Sequence, residues 1–64
     1  MRANGKEIMV REGTTLHEFL VSAGYDTSRV AVELNGSVSP KKTYKEVMLK
    51  DTDHIEIVSF VGGG

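Results

Sequence analysis

The sequence predicts an α+β domain, with one helix laid on one face of a mixed sheet of four to five strands. Three observations predict it. Leu16, Phe19, Leu20 and Ala23 recur at helical spacing, the stretches on either side alternate apolar with polar residues, and Asn-Gly pairs punctuate those stretches. Strands before and after a lone amphipathic helix make the α+β pattern, because neither layer can cover its apolar side alone.

The elements follow in order. Met1–Ala3 is a short first strand. Asn4-Gly5 takes the positive φ values of a tight hairpin turn. The hairpin returns through a second strand, Lys6–Arg11, with Ile8 and Val10 on one face and Met9 on the other. Thr15 precedes Glu18 by the spacing of a capping box, so the helix starts there. It ends at Gly24, where a left-handed cap belongs. A helix of about two to three turns does not hold in water alone and must lie on an apolar surface. Val30, Val32 and Leu34 supply one, alternating with Ala31, Glu33 and Asn35. Asn35-Gly36 turns the chain into a short return strand at Val38, which stops at Pro40. Tyr44, Val47 and Met48 have the spacing of a turn of 3₁₀ or α-helix, and a turn at Asp51–Asp53 leads into the last strand, His54–Phe60. With the last strand beside the first, this is a ubiquitin-like β-grasp, which the pattern permits without forcing. The domain covers residues 1–60 and a flexible glycine-rich tail covers 61–64.

Composition excludes several functions. A chain of 64 residues buries only about 60% of its unfolded surface, and it has no cysteine to staple the core or to do thiol chemistry. His17 and His54 lack the spacing of metal ligands, so no metal is expected. A net charge of −1 argues against nucleic acid. No apolar run can span a bilayer, so no membrane partner is expected. With no signal-peptide core in Met1–Lys6, the reading is a cytoplasmic protein, monomeric on its own. Lys41, Lys42, Lys45 and Lys50 read as a solvated edge that discourages strand-to-strand aggregation, or as a contact for an acidic partner. Glu7, Glu12 and Glu33 read as outward positions, and no triad, carboxylate dyad or phosphate loop emerges. Catalytic residues are therefore expected to be absent.

The last strand has two apolar faces. If Ile55 and Ile57 face the helix, Val58 and Phe60 point away, with nothing in so small a domain to cover them. Single exposed apolar side chains are ordinary. The functional reading is a docking patch of Val58 and Phe60, joined by Met9 and by Val61 at the tail's root. The chain then runs into Gly62-Gly63-Gly64. A frayed end or a linker remnant is the plain reading. The functional one uses what glycine lacks. Residues 61–64, fully extended, reach ~13–14 Å, and side-chain-free glycines form a thread that enters a narrow channel. A terminal carboxylate is a poor electrophile, but ATP can convert it to a mixed anhydride with AMP, which a sulfur donor then displaces.

The ending Phe60-Val61-Gly62-Gly63-Gly64 resembles that of the ThiS family of sulfur carriers for thiamine thiazole synthesis. The resemblance extends through Asn4-Gly5, Gly13-Thr14-Thr15-Leu16, Val32-Glu33-Leu34-Asn35-Gly36 and Asp51-Thr52-Asp53. It implies a β-grasp carrier, not an enzyme, with no bound cofactor. Gly64 would be adenylated by a ThiF-type adenylyltransferase at the expense of ATP and converted to a thiocarboxylate by a sulfur-donor system. It would then deliver sulfur to a ThiG-type thiazole synthase. Gly62 and Gly63 would give reach, and Val58 and Phe60 would dock the partners. Family members open with a longer apolar strand than Met1–Ala3. Two alternatives stand beside this reading: a MoaD-like carrier for molybdopterin synthesis, and an interaction module whose tail is inert.

Overall fold

Asn4 adopts φ 51 and Gly5 φ 80, and this turn folds β1 (Arg2–Ala3) onto β2 (Lys6–Glu7) as an antiparallel hairpin. The computed structural model describes residues 1–60. Val61, Gly62, Gly63 and Gly64, and with them the tail expected at 61–64, lie outside the described residues.

The helix α1 (Leu16–Ser22) is bounded as its sequence dictates. The Thr15 hydroxyl accepts from the Glu18 N–H at 3.1 Å, and the Glu18 carboxylate accepts from the Thr15 N–H at 2.9 Å. These bonds satisfy backbone donors that a helix start leaves without partners. At the other end Gly24 takes φ +89; its N–H donates to the Val21 carbonyl, and the Tyr25 N–H donates to the Leu20 carbonyl. This reciprocal pair is a Schellman closure.

β3 (Val30–Leu34), β4 (Ser37–Ser39) and β5 (His54–Ser59) complete a five-stranded sheet in the order β2-β1-β5-β3-β4. β5 runs parallel to β1 and antiparallel to β3, so the last strand lies beside the first. This is the mixed sheet with one helix of the β-grasp fold. Leu16, Leu20, Val30, Val32 and Ile55 are the largest fully buried side chains, closing α1 onto one face. Each contributes roughly 1.5–3 kcal/mol by leaving water.

The structure departs from the sequence reading in three places. β2 stops at Glu7 rather than Arg11. Past Glu7 a single further bond follows, from the Ile8 N–H to the Met1 carbonyl at 2.9 Å. Ile8 and Val10 still pack against the core while Met9 is 97% exposed. Second, the helical turn expected after Pro40 forms, as a 3₁₀ segment at Lys41–Thr43, but Leu49 joins Tyr44 in the core while Met48 stays exposed. The chain turns on through 44–46, where the Val47 N–H donates to the Thr43 carbonyl at 3.0 Å, and then lies against the start of α1, where Leu16, His17 and Leu49 N–H groups donate to Val47, Tyr44 and Thr14 carbonyls. At Met48 and Leu49 that pairing with Thr14 and Thr15, not helical periodicity, decides which side chain turns inward. Third, Ala23 is exposed because the helix closes there and the chain departs toward Tyr25.

Candidate functional site

The site grows out of β5, and its position depends on two asparagine side chains. The Asn4 amide oxygen accepts from the Ile57 N–H at 2.7 Å, and its amide nitrogen donates to the Ile57 carbonyl at 3.3 Å. A single side chain thus continues the ladder that two-residue β1 cannot extend. At the opposite end the Asn35 amide oxygen accepts from the His54 N–H at 2.9 Å, and its nitrogen donates to Asp53. The buried Asp53 carboxylate also accepts from the Lys50 N–H, fixing the turn into β5. Both asparagines have φ near +50°, 51 and 52. Asn tolerates that conformation better than other non-glycine residues, and it aims the amide back at the neighbouring strand.

Held this way, β5 divides its side chains cleanly. Ile55 and Ile57 turn to the helix and are buried, whereas His54, Glu56, Val58 and Phe60 face outward. Val58 is 58% exposed and Phe60 55% exposed, and Ala31 of β3 lies directly across from Val58. Glu33 pairs with Val38 of β4 on one side and with Glu56 of β5 on the other. The outer face is therefore an apolar field with carboxylates set in it. The last described ladder bond runs from the Phe60 N–H to the Arg29 carbonyl at 2.8 Å.

Around that last bond the loop before β3 is rigidified locally. The Asp26 carboxylate accepts from the Ser28 hydroxyl at 2.6 Å and the Ser28 N–H at 3.0 Å, and these bonds hold its pKa below the ordinary value. The Lys41 ammonium donates to the Ser28 carbonyl at 2.6 Å. Lys41 thus braces the loop whose Arg29 carbonyl receives the Phe60 N–H. Lys42, Lys45 and Lys50 are exposed.

Sequence reasoning placed Met9 with Val58 and Phe60. The structure sets Met9 beyond the β2 edge, lining a groove with Phe19, Ala23 and Ile57 on the helix side of the sheet. Val58 and Phe60 share the opposite face. His17 is partly buried on α1 and His54 is exposed; no group of His, Cys, Asp or Glu among the described residues could hold a metal ion. No described helix is long and apolar enough to cross a membrane. Two features escaped the sequence reading: the asparagine clamps and the direct opposition of Glu33 and Glu56. The repeated Asn-Gly signal hinted at the first, while the second needs the β3–β5 register.

Comparison with known proteins gives a consistent pattern. The ThiS family model matches residues 1–64. The chain is 42% identical over 65 residues to the sulfur carrier protein ThiS of Bacillus subtilis, covering 100% of this chain and 98% of that one. It is 43% identical over 61 residues to a thiazole synthase of Magnetococcus marinus, covering 95% of this chain but only 19% of the synthase. The crystal structure of a thiamine biosynthesis protein (ThiS) from Geobacter metallireducens superposes with a TM-score of 0.81 at 33% identity, covering 98% of this chain and 96% of that one.

Proposed function

The chain belongs to the ThiS family, and from that membership we propose that it is a sulfur carrier of thiamine biosynthesis, a protein substrate rather than a catalyst. Gly64 is the residue that carries the sulfur. Its carboxylate oxygen attacks the α-phosphorus of ATP in the active site of a ThiF-type adenylyltransferase, releasing pyrophosphate and leaving an acyl adenylate. A sulfur nucleophile then adds to the acyl carbon, AMP departs, and a thiocarboxylate remains. A ThiG-type thiazole synthase takes up that sulfur. ATP belongs to the adenylating enzyme, and the carrier needs no cofactor of its own. The setting is the cytoplasm.

The outward face of β5 carries this reading. Val58 and Phe60 are exposed directly before the Val61-Gly62-Gly63-Gly64 segment. A partner that buries both side chains gains roughly 1.5–3 kcal/mol from each and holds the glycines beside its own reactive centre. Converting a diffusional encounter into a positioned one is the carrier's contribution to the chemistry.

Incubation with ATP, the adenylating enzyme and inorganic sulfide, followed by intact-mass measurement, tests the proposal. The expected product is heavier by the exchange of one oxygen for one sulfur. A chain lacking Gly64 gains nothing and fails to support thiamine-dependent growth; growth or sulfur gain without Gly64 overturns the assignment. Sulfur delivered to a molybdopterin-forming acceptor but not to the thiazole synthase would place the carrier in the other pathway.

A further inference from the structure

Glu33 and Glu56 face each other across β3 and β5, on the outer side of the sheet. The ladder bond between Phe60 and Arg29 fixes the type of this pair. Counting back in steps of two along each strand, Glu33 and Glu56 form a hydrogen-bonded pair, with Cα atoms about 5.5 Å apart. Like charges placed so are destabilising. No ion pair relieves them among the described residues: the Arg2 guanidinium, on the same side of the sheet, is already engaged by Glu7 at 3.2 Å and by the Gly5 carbonyl at 3.1 Å. Apolar side chains flank the carboxylates, with Val38 beside Glu33 and Val58 one step along from Glu56; Val38 is 73% exposed.

An apolar face interrupted by two facing carboxylates discriminates among occupants. A second copy laid symmetrically on it would press both carboxylate pairs together in a drying interface, where uncompensated charge is most costly. A partner presenting a guanidinium or ammonium group among apolar side chains meets the opposite situation. One cation between the carboxylates replaces repulsion by two attractive contacts.

We propose that Glu33 and Glu56 form a recognition clamp for an arginine or lysine of the thiazole synthase partner, with Val38 and Val58 sealing it from water. The inference rests on the sulfur-carrier reading for the identity of the partner. The synthase is the occupant because synthases of the Magnetococcus marinus kind include a segment matching this chain within their own polypeptide. Such a tether raises the effective concentration of the two surfaces for each other. The clamp supplies selectivity and encounter rate, and the apolar field supplies the dry contact.

The test is calorimetric titration of the carrier into the thiazole synthase at low and high salt, with wild type, the double variant Glu33→Gln/Glu56→Gln, and Glu56→Lys. The double variant is expected to bind about tenfold or more weakly and to lose most of its salt dependence. Glu56→Lys, which pairs with Glu33 internally, is expected to bind more weakly still. Both variants should be at least as resistant to urea as wild type, because each removes a repulsion. Unchanged affinity with unchanged salt dependence overturns the clamp, as does a loss of stability, which would make the pair structural. Self-association of wild type through this face, seen by sedimentation, overturns it too. Sulfide loading of wild-type Gly64, measured separately by mass, separates the two failures. If loading succeeds and the variants bind as wild type does, or wild type does not bind the synthase, the clamp falls alone. If loading fails, the carrier reading falls with it.

Discussion

Asn4 shows how much one side chain can organise. Its amide satisfies both backbone groups of Ile57, a residue 53 positions away. Replacing Asn4 by Gly keeps the positive φ but removes the clamp. The expected loss is about 1–3 kcal/mol, the cost of stranding partly buried backbone groups, measured by urea unfolding. Sequence reading recognised Asn4-Gly5 as a turn because that depends on local φ preference. The clamp was not legible, because its partner is distant in sequence. Glu18 is a contrasting case, fully local. The Thr15 N–H and then the Thr15 hydroxyl hold its carboxyl below the ordinary value. A carboxylate whose folded pKa is depressed stabilises the fold above its unfolded pKa and loses that contribution as pH falls through the folded one. Stability should therefore decline below about pH 4.3. Glu18→Gln keeps a capping side chain without the titration, and a shallower acid limb in urea midpoints measured against pH is the expected result.

At the scale of elements, the helix was the most legible part because its signals are contiguous. The capping box, the apolar spacing and the glycine stop all lie between Thr15 and Gly24. Gly24→Ala tests the stop. A Cβ there meets open space, so only the φ of +89 opposes it. The expected destabilisation is about 1–2 kcal/mol in chemical unfolding, with no change in helix content by circular dichroism of the folded protein. Leu20→Ala should cost more, about 2–5 kcal/mol, because Leu20 is fully buried between α1 and the sheet. The stretch after Pro40 was read less well. Its apolar residues match a helix, yet Leu49 rather than Met48 is buried. The segment is fastened by backbone bonds to Thr14, Leu16 and His17, and such long-range pairing leaves no periodic trace. The early end of β2 has the same origin, since a strand's length is set by its neighbour as well as by its own residues.

For the molecule as a whole, alternation in β3 and β5 was enough to divide buried from exposed faces, and so to place Val58 and Phe60 on the side away from the helix. It was not enough to align the strands, which is what brings Glu33 against Glu56. Nor did it separate Met9, which the curl of the chain past β2 carries to the helix side. Phe60→Asp follows from this division. Phe60 is more than half exposed, at 55%, so the thermal midpoint should move little, while association with the adenylating enzyme, followed by calorimetry, should weaken about tenfold or more. An unfolded variant would mean that Phe60 is instead core.

The placement of β5 has one more consequence. It is the last described strand in chain order, yet it sits between β1 and β3 in the middle of the sheet. During synthesis, which releases the chain from its first residue onward, β1 and β3 emerge with an empty slot between them. The sheet closes only when β5 leaves the ribosome, and the face that would meet other proteins assembles in the same event. A chain that stops before β5 therefore has neither a closed sheet nor that outer face.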